Sequence, residues 1–98
     1  MKHLKNKLTE RFFDAILNLN SRDEAENFFE DICTIKEIQD MSQRLEVAIL
    51  LDEGKSYQEV LSLTGVSTAT ISRVNKCLNY GSGGYKEAIE RIRNKEDK

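Results

Sequence analysis

Apolar residues recur along this chain at helical spacing, in blocks separated by short polar signals. The first block runs through Leu4, Leu8, Phe12, Ala15, Ile16 and Leu19, with Phe13 and Leu17 widening the stripe. Positions three and four apart share one side of a helix, so a first helix is predicted. Ser21 followed by Glu24 has the form of a capping box, in which a hydroxyl takes a first-turn N–H while the carboxylate reaches back to the cap's own N–H. A second helix is expected from there through about Ile32. Thr34 with Glu37 repeats the signal and opens a long helix, whose apolar positions Ile35, Ile38, Met41, Leu45, Ala48, Ile49 and Leu51 carry it to about Glu53. Gly54 ends it. At ~1.5 Å per residue this element spans ~30 Å.

The next stretch, residues 54–78, carries three signals close together. Ser56 with Glu59 forms another capping box, Gly65 supplies a residue that can take positive φ without steric cost, and Ser67 stands as a new N-cap. Apolar residues at Val60, Leu63, Val66, Ile71, Val74 and Leu78 suit two short helices that cross steeply and share a small core. This is the pattern of a helix-turn-helix. The second helix, 67–78, leaves Thr68, Ala69, Thr70, Ser72, Arg73, Asn75 and Lys76 facing outward, a short polar face without an acid. Residues 80–85 are rich in glycine. No strand precedes them and no phosphate-loop spacing is met, so they are expected to form a flexible joint. Gly54-Lys55-Ser56 resembles the end of a Walker A loop, but Ile49 stands where that motif needs its first glycine. A last helix, 86–93, runs through Ala88, Ile89 and Ile92, with 94–98 expected to fray.

Composition turns these helices into a fold class. With 98 residues, no proline and 33% charged side chains, the chain is expected to be one all-α domain. A hydrophobic share of 39% is lean for a self-contained core, and the adjacent pairs Phe12-Phe13 and Phe28-Phe29 favour a surface completed by another subunit. No apolar run is long enough for a bilayer, and the basic residues 1–7 lack an apolar signal region, so a cytoplasmic protein that does not engage membranes is expected. Cys33 and Cys77 have no metal-ligand spacing and His3 is the lone histidine. Neither a disulfide nor a metal site is expected, and no cofactor is predicted. No nucleophile stands beside a base, so the chain is not read as an enzyme.

The formal net charge of −2 argues against nucleic acid only until its distribution is considered. Over residues 21–40, Asp23, Glu24, Glu26, Glu30, Asp31, Glu37 and Asp40 stand against Arg22 and Lys36, a net of −5. Over 54–86, Lys55, Arg73, Lys76 and Lys86 stand against Glu59 alone, a net of +3. The positive part coincides with the helix-turn-helix.

Ala69-Thr70-Ile71-Ser72-Arg73, arriving after Ser56-Tyr57-Gln58-Glu59 and Gly65, resembles the helix-turn-helix of the tryptophan repressor family. Six helices ending in a short C-terminal one are similar to that family's layout, and the resemblance covers essentially the whole chain. It is specific over 44–78 and rests on the apolar pattern alone in the first helix. The compact length and the glycine joint are more similar to the family's YerC/YecD branch than to the repressor proper. The resemblance implies a six-helix, tryptophan-repressor-like fold with a central helix-turn-helix. It divides into dimerisation and platform helices (1–53), the helix-turn-helix (54–79) and the joint with the C-terminal helix (80–98). It also implies an intertwined homodimer that sets its two reading helices in successive major grooves of double-stranded DNA.

Carried over residue by residue, the resemblance places Thr68, Ala69, Thr70 and Ser72 near bases and Lys55 and Gln58 near the backbone. The helix start at Ser67 can hold a phosphate, and Arg73 and Lys76 supply positive charge on the same helix. Thr34, Arg44 and Arg73 match positions around the family's bound amino acid. Val74, however, stands where the tryptophan-binding members have a glycine that leaves room for the indole ring, and Cys77 replaces a small hydroxyl residue. Tryptophan is therefore not expected as co-repressor, and a smaller effector or none stays open. Two functions follow. The first is a dimeric, sequence-specific DNA-binding regulator, acting as a repressor; the second is a protein-interaction module built on the same helix-turn-helix.

Overall fold

The computed structural model describes residues 5–96, which form six α-helices and, among the described residues, no strand. They are α1 (Lys7–Leu17), α2 (Arg22–Ile32), α3 (Ile35–Asp52), α4 (Tyr57–Thr64), α5 (Thr68–Tyr80) and α6 (Gly84–Glu96). The all-α expectation holds. Leu4, assigned to the first stripe, and His3 lie outside the described residues. The chain divides into two compact units, Met1–Ile38 and Gln39–Lys98, with the boundary inside α3.

In the first unit, local hydrogen bonds account for the helix starts. Asn6 Oδ1 accepts from Thr9 N–H at 3.0 Å, and Thr9 Oγ1 accepts from Asn6 N–H at 3.1 Å, a reciprocal box that opens α1. Ser21 Oγ accepts from Glu24 N–H at 3.1 Å, but the Glu24 carboxylate takes the Asn20 N–H rather than that of Ser21. Thr34 and Glu37 close the full box at 3.0 and 2.8 Å. An aromatic ladder links α1 to α2, with ring centroids 5.5 Å apart for Phe12 and Phe13, 6.2 Å for Phe12 and Phe28, and 5.4 Å for Phe28 and Phe29. Even so, neither helix has a buried residue.

The second unit contains a closed core. Val47, Ala48 and Leu50 from α3, Val60 from α4, Val66 from the turn, Ile71, Val74 and Leu78 from α5 and Ile89 from α6 are buried together, with Leu45, Ile49, Leu51 and Tyr85 packed at its margin. Leu63, expected in this core, is 64% exposed. The inward position one turn after Val60 falls to half-buried Thr64, since four residues rather than three bring α4 back to that side. At α3's end Gly54 takes φ 91°, as its place after the helix requires. Arg93 ties α6 back to that end through Asp52 at 2.6 Å and Glu53 at 3.9 Å.

At Gly81 the glycine-rich stretch turns a corner that a side chain could not enter. Gly81 N–H donates to Cys77 O at 2.9 Å, and a Cβ at Gly81 would lie 2.3 Å from that same oxygen, so only glycine fits. Helix α6 then starts at Gly84 and runs to Glu96, longer at both ends than the span 86–93 that its apolar positions suggest.

Candidate nucleic-acid interface

Ser56 and Glu59 set the start of α4. The Ser56 hydroxyl accepts from Glu59 N–H at 3.2 Å, and Glu59 Oε1 accepts from Ser56 N–H at 3.3 Å. The Ser56 backbone N–H, and after it the Ser56 hydroxyl, hold the Glu59 carboxyl below the usual carboxylate range; Lys55 adds a smaller pull in the same direction, against a slight opposing effect of burial. Gly65, at φ 72° and ψ 7°, turns the chain, and Ser67 caps α5 by accepting from Thr70 N–H at 3.3 Å. The Ser67 hydroxyl also donates to Thr70 Oγ1 at 3.1 Å. Two of the residues expected at DNA therefore already share a hydrogen-bonded cap.

Helical geometry separates the two sides of α5. Ile71, Val74 and Leu78 are buried, and Ala69, Ser72, Arg73 and Lys76, spaced by three, one and three, lie diametrically opposite. All four are exposed. Thr68 and Thr70 sit on the two flanks, Thr68 exposed and Thr70 half-buried. Asn75, expected to face outward, is half-buried and accepts from Asn79 Nδ2 through both its backbone oxygen and its Oδ1, at 2.9 and 3.0 Å. Lys55, Gln58 and Ser67 are exposed. No acid lies in the first turn of α5, and among the described residues Lys55, Arg73 and Lys76 make no ion pair. Such a surface can take anions without first breaking internal pairs.

The residues matched to an amino-acid pocket are distributed differently. Thr34 belongs to the first unit, where its side chain is committed to the cap of α3. Arg44, Arg73, Val74 and Cys77 belong to the second. Val74 is 2% exposed and packed into the core. Arg44, Arg73 and Cys77 are exposed. Cys77 borders a shallow apolar hollow with Leu45, Gly81, Tyr85 and Ala88. Among the described residues no cluster of His, Cys, Asp and Glu could hold a metal, and no helix is long and apolar enough to cross a membrane.

Sequence reasoning missed the hydroxyl of Thr64, which bridges the turn, and the Asn6–Thr9 box. The latter carried a signal, an Asn three residues before a hydroxyl, but not in the Ser/Thr-to-Glu form.

Comparison with known proteins bears on this site. The model of the family described as Trp repressor protein matches residues 7–93. The uncharacterized protein YerC of Bacillus subtilis (strain 168) is 48% identical over 93 residues, covering 95% of this chain and 89% of that protein. The crystal structure of a TrpR-like protein from Eubacterium eligens superposes with a TM-score of 0.89 at 52% identity, over 94% of this chain and 95% of that one. A structure from Staphylococcus aureus gives a TM-score of 0.89 at 41% identity, over 94% and 92%.

Proposed function

The chain belongs to the Trp repressor protein family, and from that premise we propose that it is a sequence-specific DNA-binding regulator that acts as a homodimer and represses by covering its site. The observation that carries this reading is the exposed, acid-free face of α5, mounted on buried Ile71, Val74 and Leu78. Thr68, Ala69, Thr70 and Ser72 reach base edges: hydroxyls can donate or accept there, and the methyls of Ala69 and the threonines suit a thymine methyl. Lys55, Gln58, Arg73, Lys76 and the N-terminus of α5 hold phosphates. No step involves catalysis.

The dimer reading is supported by the first unit, whose two helices have apolar stripes and no buried residue of their own. A second copy covers those stripes and spaces the two α5 helices by about one turn of DNA, ~34 Å. Packed Val74, at the position matched to the family's indole site, supports a regulator that works without tryptophan.

Selection from a genomic duplex pool, followed by a salt series on the selected fragment, tests this reading. Six cations per dimer, three from each chain, set an upper slope of roughly −5 in log affinity against log salt. The double substitution T70A/R73A should weaken binding by about 100-fold at fixed salt, with a shallower slope, since it removes a base contact and a phosphate contact. Absence of salt-sensitive binding to any fragment would move the assignment to the second reading, a protein-docking module. The outward apolar side chains of α4, Tyr57, Leu61 and Leu63, favour that alternative.

A further inference from the structure

Helices α3 and α4 both end on a positive-φ glycine, yet they close their last turns differently. At the end of α3 the backbone satisfies itself: Lys55 N–H donates to Leu50 O at 3.1 Å and Gly54 N–H to Leu51 O at 3.0 Å, the two-bond ending of a Schellman motif. At the end of α4 the backbone makes one bond, Gly65 N–H to Leu61 O at 2.8 Å. The second N–H of that ending belongs to Val66, and it donates to Thr64 Oγ1 at 3.2 Å. The same hydroxyl donates to Val60 O at 2.7 Å. The backbone thus makes the one-bond αL ending, and the Thr64 side chain takes the N–H that this ending leaves over.

The atoms it joins matter because of where they sit. Val60 is fully buried in the core, and Val66, 9% exposed, immediately precedes Ser67, the cap of α5. An N–H in such a place costs stability when it has no acceptor. Without the hydroxyl, the turn can satisfy Val66 by relaxing toward the two-bond ending seen at Gly54. That change rotates the peptide leading into Ser67 and re-aims α5 relative to α4.

We infer that Thr64 is a positioning residue for the reading helix: its hydroxyl, bridging Val60 O and the Val66 N–H, sets the direction in which α5 leaves α4. The inference rests on the assignment of α5 as the DNA reader. Thr64 itself touches no DNA in this scheme, so its effect reaches DNA only through the angle of α5.

The test compares the full-length wild-type chain with T64V, which keeps the shape and removes the hydroxyl, and T64S, which restores it. If the valine variant does not fold by circular dichroism, T64A takes its place. Two quantities are read: affinity for a duplex that the wild-type chain selects from a genomic pool, at one salt concentration, and the exchange rate of the Val66 amide hydrogen. In T64V, affinity should fall by about tenfold and Val66 exchange should speed up by about tenfold, with T64S close to wild type in both. A folded T64V that binds the duplex as tightly as wild type overturns the inference, whatever its exchange rate. If the wild-type chain selects no duplex, the DNA assignment fails by itself, and the bridge is judged on exchange alone. Faster exchange in T64V with recovery in T64S supports it, and an unchanged rate overturns it.

Discussion

The two units of this chain use the same material, apolar stripes on amphipathic helices, to opposite ends. In the second unit the stripes close on one another, and Val47, Val60 and Ile71 are fully buried. In the first, no residue of α1 or α2 is buried, and Leu8, Leu17 and Ile35 are 78%, 81% and 75% exposed. Isolated exposed leucines are ordinary on a surface; two facing stripes whose best-covered members, among them Phe12, Ile16, Phe28 and Phe29, are only half-buried are not. The second unit closes a buried core, whereas α1 and α2 contribute no buried residue to any core. The face of α5 proposed to read DNA lies wholly in the unit with the buried core, so under that proposal recognition and assembly are divided along the chain.

The largest effect that can break this comparison comes from putting charge on the uncovered stripe. Two leucines on each of two chains, at about 2 kcal/mol apiece, make Leu8 and Leu17 worth ~8 kcal/mol to a dimer. The double substitution L8D/L17D should therefore leave the chain monomeric at concentrations where the proposed wild-type dimer is expected to sediment as such. An unchanged mass in sedimentation equilibrium would mean that these stripes do not face a second copy.

Next in size is a cavity in the closed core. Ile71→Ala removes a fully buried side chain of α5 and should lower the unfolding free energy in urea by about 3–4 kcal/mol. Leu17→Ala, at an 81% exposed site, should change the stability of the monomeric form by well under ~1 kcal/mol. Equal costs at the two sites would erase the distinction between the units.

What could be seen in advance follows the same division. Helix starts that depend on neighbours within four residues, such as Thr34 with Glu37 and Ser56 with Glu59, are legible because both partners lie in one short window. The buried side of α5 was legible too, since Ile71, Val74 and Leu78 repeat at helical spacing. Leu63 misled, because an eight-residue helix gives the apolar pattern too few turns to separate a three-residue from a four-residue step. The polar Thr64 takes the inward place, and the bond it accepts from Val66 N–H forms only once the chain has turned at Gly65. The need for glycine at position 81 is hidden from the sequence for a similar reason: composition marks a glycine, but the 2.3 Å approach that forbids a side chain is made by the carbonyl of Cys77, in the helix before it. The residues expected at DNA are exposed apart from half-buried Thr70, yet exposure alone does not distinguish a groove-reading face from a solvated one. Only contact with a duplex does.

The smallest effect concerns a charge on the surface of the closed unit. In the box that opens α4, Glu59 accepts the Ser56 N–H, and this bond, more than the pull of Lys55, holds its carboxyl below the usual range. A carboxyl whose folded-state pKa is depressed adds stability above the unfolded value, ~4.3, and loses it as pH falls through the folded value. Glu59→Gln keeps an acceptor for Ser56 but has nothing to titrate. Wild type should therefore melt slightly above E59Q at pH 6–7, and the two should converge in acid, below about pH 4. Because the box belongs to the unit with its own core, the same convergence should survive in the monomeric L8D/L17D background. A melting difference that stays flat from neutral pH into acid would show that the bond to Ser56 carries no charge-dependent stability. A difference that vanishes only in the monomer would show that this end of α4 draws its order from the partner chain, and the line between the self-sufficient and the dependent unit would have to be moved.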